Sequence, residues 1–114
     1  MDFEDYEPIE IRETADLWGP FTFDLADSLP SGDAISSVTV AAYAGIYKPF
    51  QDIGDQTAIT LIDTAYTPTH TATTVSIKLQ YPGDTYKGKT TIVFNVTLAS
   101  GAKYPFFFHG VRVK

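Results

Sequence analysis

The two histidines are the first side chains that could support catalysis or bind a metal ion. His70 lies in the threonine-rich stretch TPTHTATT, and His109 is followed by Gly110. A zinc site needs several ligands at short spacings, and neither histidine belongs to an HxH, HxxxH or HExxH pattern. The chain has no cysteine to supply a thiolate ligand or a disulfide. The sequence therefore predicts no metal and no cofactor, and two partly exposed histidines.

The serines and carboxylates give no sign of hydrolytic chemistry. A nucleophilic serine needs a positioned base and an orienting acid, and no nucleophile-elbow motif surrounds any serine of this chain. Paired carboxylates for glycoside cleavage depend on their separation in space, but the acids concentrate in the N-terminal segment and in loops. Asp52 and Asp55 flank Gly54, yet a calcium loop supplies more oxygen ligands in a regular array. We therefore expect no enzymatic activity and no catalytic residue.

The charge balance excludes several classes of partner. The chain carries 14 acidic and 8 basic residues, for a net charge of −6, and the basic residues are scattered. Binding nucleic acid takes clustered Lys and Arg, so no nucleic acid is expected, and the acidity serves solubility or fits a basic protein partner. No apolar stretch is long enough to span a membrane, and MDFEDYEPIE lacks the basic start of a secretory signal. We expect a protein made in the cytoplasm, without a signal peptide and without membrane contact.

Apolar residues alternate with polar ones, with a period of two, in the segments that must form the fold. In TTVSIKLQY the apolar residues Val75, Ile77, Leu79 and Tyr81 alternate with polar ones, and TTIVFNVTLA follows the same pattern. Such alternation predicts strands with one buried and one wet face. PFTFDL and SSVTVAAY are further strand candidates, PIEIRE and TAITLID are weaker ones, and the last strand is predicted at about residues 103–113.

Turn signals separate these runs and set the fold class. LPSGD, YPGDTYKGK and ASGAK contain the glycine, proline and aspartate residues that turns require. About seven short strands with regular turns are typical of a single antiparallel β-sandwich, and a small closed barrel is the alternative. Residues 1–8 are predicted to be an acidic N-terminal arm, and residues 9–114 to be the domain.

Aromatic side chains outside the strands are candidate contacts. The long irregular stretch YAGIYKPFQDIGDQ contains Tyr47 and Phe50, and the acidic arm contains Phe3 and Tyr6. Exposed rings at loop tips can stack on sugars, whereas rings that fold back would cover the open end of the sandwich. In the arm, the two rings could anchor it on a neighbouring surface. These four residues are predicted partner contacts.

The stretch YPFFFHG near the C-terminus and the two valines that follow it do not fit one straight strand with a single buried face. In a straight strand, the even-numbered phenylalanines would face away from Val111 and Val113, although both sets read as core. We predict instead a one-residue bulge at His109–Gly110, which turns all four side chains inward. Phe107 then points outward and is the fifth candidate contact. Pro105 indicates an edge strand, because it cannot donate to a ladder.

Two parts of the chain resemble a known family. FTFDLADSLPSGDAISSVTVAAYAG, and the region from TVSIKLQY to FFFHGVRV, are similar to small immunoglobulin-like proteins encoded among the virion structural genes of tailed bacteriophages and prophages. Together they cover roughly residues 20–42 and 73–113. The elements of the first motif are Phe23, Asp24, Leu29, Pro30, Gly32, Asp33, Ile35, Ser36, Val38 and Val40.

The resemblance implies an immunoglobulin-like β-sandwich and a non-enzymatic role. On this basis we expect a virion component at the head surface, neck or tail, which contacts other virion proteins or itself through the last strand or the acidic arm. The alternative is a carbohydrate- or surface-binding β-sandwich module. The resemblance brings no catalytic residue.

Overall fold

The protein is described by a computed structural model that covers residues 9–11, 17–46, 57–63, 65–83 and 86–114. Within these ranges the fold is all-β, with one short 3₁₀ helix at Ala26–Ser28. The strands are β1 (Ile9–Ile11), β2 (Leu17–Asp24), β3 (Ile35–Ala44), β4 (Thr69–His70), β5 (Thr74–Gln80), β6 (Gly88–Leu98), β7 (Lys103–Phe108) and β8 (Val111–Val113).

The strands form two sheets. The larger sheet has the order β1-β8-β6-β3, with β7 also paired to β6, and the smaller sheet has the order β2-β5-β4. All of these pairs are antiparallel except β1 and β8, which run parallel. The predicted antiparallel sandwich thus contains one parallel pair at this edge, where the first described strand joins the sheet beside the last one.

The sheets pack face to face around one apolar core. Alternate residues of β5 and β6 are buried, as their period of two predicts. The Phe23 ring of the smaller sheet lies 5.0 Å from the Phe94 ring and 4.9 Å from the Phe108 ring of the larger one. Full burial of such a side chain stabilises the fold by about 1.5–3 kcal/mol. The architecture is that of a β-sandwich.

The predicted strand TAITLID is instead a crossover between the sheets. Ala58 makes a single bridge to Tyr43 of β3, and Ile62 makes a single bridge to Leu79 of β5. Because the segment leaves one sheet for the other within four residues, it cannot build a ladder with either. Leu61 is fully buried and fixes the crossing in the core.

The last strand contains the predicted bulge. Ile92 of β6 lies opposite Phe108, and Lys89 lies opposite Arg112. Two residues separate the first pair from the second on β6 and three on the other strand, so one residue is inserted around His109 and Gly110. Phe108, Val111 and Val113 are buried, and Phe106 packs against the core. The bulge is confirmed, and the straight strand is excluded.

Candidate partner-binding surface

The two histidines lie in different parts of the sandwich, His70 on β4 and His109 after β7. Within the described ranges, no group of three or more histidine, aspartate or glutamate side chains could hold a metal ion. His70 is exposed on β4, and its Nδ1 lies 3.2 Å from the Thr71 carbonyl oxygen. In the same part of the chain, no helix is long and apolar enough to cross a membrane.

His109 ties the bulge to the end of β3. The Thr91 hydroxyl donates to the Gly45 carbonyl over 2.9 Å, and its oxygen lies 3.1 Å from Nδ1 of His109. Partial burial lowers the pKa of His109, which favours the neutral ring at pH 7. The contacts of Thr91 thus connect His109, at the bulge, with Gly45, directly after β3.

Asp33 clamps the two parts of the chain that carry the family resemblance. Its Oδ1 accepts hydrogen bonds from the Ala34 N–H at 2.9 Å and the Ser100 N–H at 3.3 Å, and its Oδ2 accepts the Ser100 hydroxyl at 2.5 Å. The Ser100 hydroxyl is the main cause that lowers the pKa of the Asp33 carboxyl. Gly32 has a φ of +82°, which suits glycine. The Asp33 carboxylate therefore links the LPSGD turn to the ASGAK turn through hydrogen bonds.

The edge of the larger sheet at β7 carries a group of exposed side chains. We define the β7 surface as the exposed residues at this edge: Lys103 and Pro105 of β7, Asn95 of β6 and Thr39 of β3 on the outer face, and Tyr104 of β7 on the opposite face of the same edge strand. Among the described residues β7 pairs only with β6, as Pro105 predicts for an edge strand. A groove of about 290 Å³ crosses this surface. Its lining is Ser37, Thr39, Asn95, Val96, Thr97, Lys103, Tyr104 and Pro105.

Tyr104 is the residue that sequence reasoning missed. It is 41% exposed, and no other large apolar side chain in the described ranges is exposed. The parity of β7 places it on the core face, opposite the buried Val96. It is exposed although the neighbouring Val96 is buried, because β7 has a strand on one side only among the described residues. Pro105, which marks β7 as an edge strand, is the signal that could have found it.

Phe107 lies on the outer face of the larger sheet, as predicted. It lies, however, in the part of that face where neighbouring side chains are buried. It stands opposite Val93, and Val93 and Thr91 are buried although the period of two predicted a wet face there. The Phe107 side chain is half-buried and has contacts of its own. The wet half of the face begins at Asn95. A role of Phe107 as a partner contact stays a prediction.

The other candidate contacts fall outside the described residues. Phe3 and Tyr6 precede Ile9, and Tyr47 and Phe50 lie between Ile46 and Thr57. The acidic arm of residues 1–8 lies outside them as well. Their proposed contacts, including the stacking on sugars, stay predictions.

Neither protein-family models nor curated proteins give a match. The function is therefore argued from the sequence and from the geometry described above.

Proposed function

We propose that the protein is a non-enzymatic structural component of a phage- or prophage-derived particle, and that it acts through protein–protein contacts. The family resemblance supports this role. The strand order supports an immunoglobulin-like sandwich, since β2 pairs with β5, β3 pairs with β6, and the last strand extends the larger sheet. The head surface, the neck and the tail are the expected positions in the particle.

The observation that carries the proposal is the β7 surface. Tyrosine is enriched at protein interfaces, because its ring buries a large area while its hydroxyl stays hydrated. Thr39, Asn95 and Pro105 lie side by side across three strands and surround the groove. Lysine and proline on an edge strand oppose uncontrolled strand pairing. A partner would therefore dock on the side chains of this surface and not extend the ladder.

Purified particles provide the direct test. Particles from the organism that encodes the chain would be separated on a density gradient and probed with an antibody against the protein. We expect the protein in the particle fraction, and capsid, portal or tail genes beside its own gene. Particles without the protein would contradict the proposal.

A variant locates the contact within the particle. Tyr104→Ala is expected to lower the amount of protein incorporated, because it removes the exposed ring of the β7 surface. Thr69→Ala is the matched control, since Thr69 is exposed on β4 in the other sheet. Equal incorporation of the two variants would exclude the β7 surface as the contact.

A further inference from the structure

Asp63 is the one buried charged side chain in the described ranges, with 5% of its surface exposed. Its Oδ1 accepts a hydrogen bond from the Ala65 N–H at 2.9 Å. No cation of the described residues lies within ion-pair distance of it. Taking a carboxylate out of water costs several kcal/mol unless a partner offsets the loss. Among the described residues, the hydrogen-bond donor to the Asp63 carboxylate is the neutral Ala65 N–H, where a buried charge normally has a cation.

A cleft of about 410 Å³ is lined by Asp63 and by the apolar residues Val38, Val40, Ile62 and Pro68, among others. Val38 and Val40 belong to the core face of β3, where they lie opposite the buried Val96 and Phe94. Both valines are nevertheless only half-buried. The sandwich is open on this side because β4 is two residues long and leaves the edge of β3 uncovered.

Tyr66 also lines the cleft and already attracts a cation. The ammonium group of Lys78 lies 5.2 Å from the centre of its ring. Tyrosine rings bind ammonium and guanidinium groups through the negative face of the ring. Lys78 lies close to this region, since its carbonyl accepts the Asp63 N–H. Its ammonium group nevertheless makes no ion pair with the Asp63 carboxylate.

We propose that this cleft binds a lysine or arginine side chain of a basic partner protein. The methylene groups of that side chain would pack on Val38, Val40 and Ile62, and its charged end would pair with Asp63. The net charge of −6 would draw a basic partner to the surface. A divalent metal ion would need further oxygen ligands, and the described residues form no such group. The inference rests on the proposed function in one respect only, namely that the protein works by binding another protein.

The test uses small analogues of the two side chains. The methyl and amide NMR signals of the full chain would be followed during titration with n-butylammonium and n-butylguanidinium chloride. We expect the shifts to centre on Val38, Val40, Ile62 and Asp63. Butanol, which lacks the charge, should bind at least about tenfold more weakly. Equal binding of butanol, or shifts spread over the acidic surface, would overturn the proposal.

A pair of matched variants assigns the binding to the carboxylate. Asp63→Asn keeps an oxygen for the Ala65 N–H but removes the charge, and is expected to weaken butylammonium binding by at least about tenfold. Asp24→Asn is the control, because Asp24 accepts the Ala26 N–H at the same distance of 2.9 Å but is exposed and outside the cleft. An equal affinity for butylammonium in the two variants would overturn the proposal.

A second variant keeps the test sharp if Asp63→Asn unfolds the chain. Val38→Lys places an ammonium group at the cleft wall, where it would occupy the site from within. We expect this variant to lose butylammonium binding, because its own side chain pairs with Asp63. Unchanged binding in a folded Val38→Lys protein would contradict the proposal. A failure of these titrations would leave the particle experiment unaffected, so the two proposals fail separately.

Discussion

The strands β7 and β8 are consecutive parts of one chain segment, but they differ in burial. β7 carries a tyrosine and three phenylalanines, yet its first three residues are exposed. β8 is shorter and less aromatic, and both of its valines are buried. β8 lies between β1 and β6, whereas β7 has only β6 beside it among the described residues. The number of neighbouring strands decides burial here more than the apolar character of the sequence.

The bulge between β7 and β8 allows side chains of both strands to face the same core. The inserted residue at His109 and Gly110 restores the parity that puts Phe108 and Val111 in the same core. The Phe108 ring lies over Gly110, and a Cβ atom there would come within 2.3 Å of its Cζ. The bulge thus depends on a glycine and on a ring that covers it.

Removing the Phe108 ring should have the largest effect on stability. Phe108→Ala is expected to lower the free energy of unfolding by about 3–5 kcal/mol, because it leaves a cavity beside Phe23 and Phe94. Urea unfolding would measure the loss. Phe107→Ala is the matched control on the half-buried outer face and should cost clearly less. Equal losses would show that the two rings are buried alike.

Gly110→Ala should disturb the bulge, with a smaller loss in the free energy of unfolding than Phe108→Ala. The added methyl group overlaps the Phe108 ring, which is fully buried in the core. Overpacking of this kind costs about 1–3 kcal/mol. The penalty should shrink in a Phe108→Leu background, since the clash is then relieved. A penalty that stays the same in both backgrounds would place its cause in the backbone and not in the ring.

The bulge at His109 and Gly110 was predictable from the sequence, because two stretches of apolar residues disagree about which face of the last strand is buried. The parity of the phenylalanines disagreed with that of Val111 and Val113, and a bulge beside a glycine resolves the conflict. The parallel pairing of β1 with β8 was not predictable, because alternation in PIEIRE gives no strand direction. The exposure of Tyr104 and the burial of Asp63 were missed for a similar reason. Both depend on which elements lie beside the residue in the folded sandwich, and the alternation of apolar residues does not encode that.

The stability that the Asp33–Ser100 hydrogen bonds give to the hairpin end of β7 should depend on pH. The pKa of Asp33 is lower in the folded protein than in the unfolded chain, mainly through the Ser100 hydroxyl. Its contribution to stability is therefore fully present above the unfolded pKa of about 4 and is lost as the pH falls through the folded value. Ser100→Ala should lower the Tm at pH 7, because it removes the hydroxyl that the Asp33 carboxylate accepts. The difference from the wild type should narrow as the pH falls through the folded pKa, and a constant difference from pH 7 to pH 2 would contradict the clamp.

Tyr104→Ala should have the smallest effect on stability and so separates folding from binding in β7. Its side chain is largely in water, and substitutions at such positions usually change the free energy of unfolding by no more than about 0.5 kcal/mol. The same substitution should weaken a contact made through the β7 surface, because it removes the ring available to a partner. Thermal unfolding and particle incorporation of one variant would measure both. A large loss of stability would mean that Tyr104 is part of the core, and β7 would then resemble β8 after all.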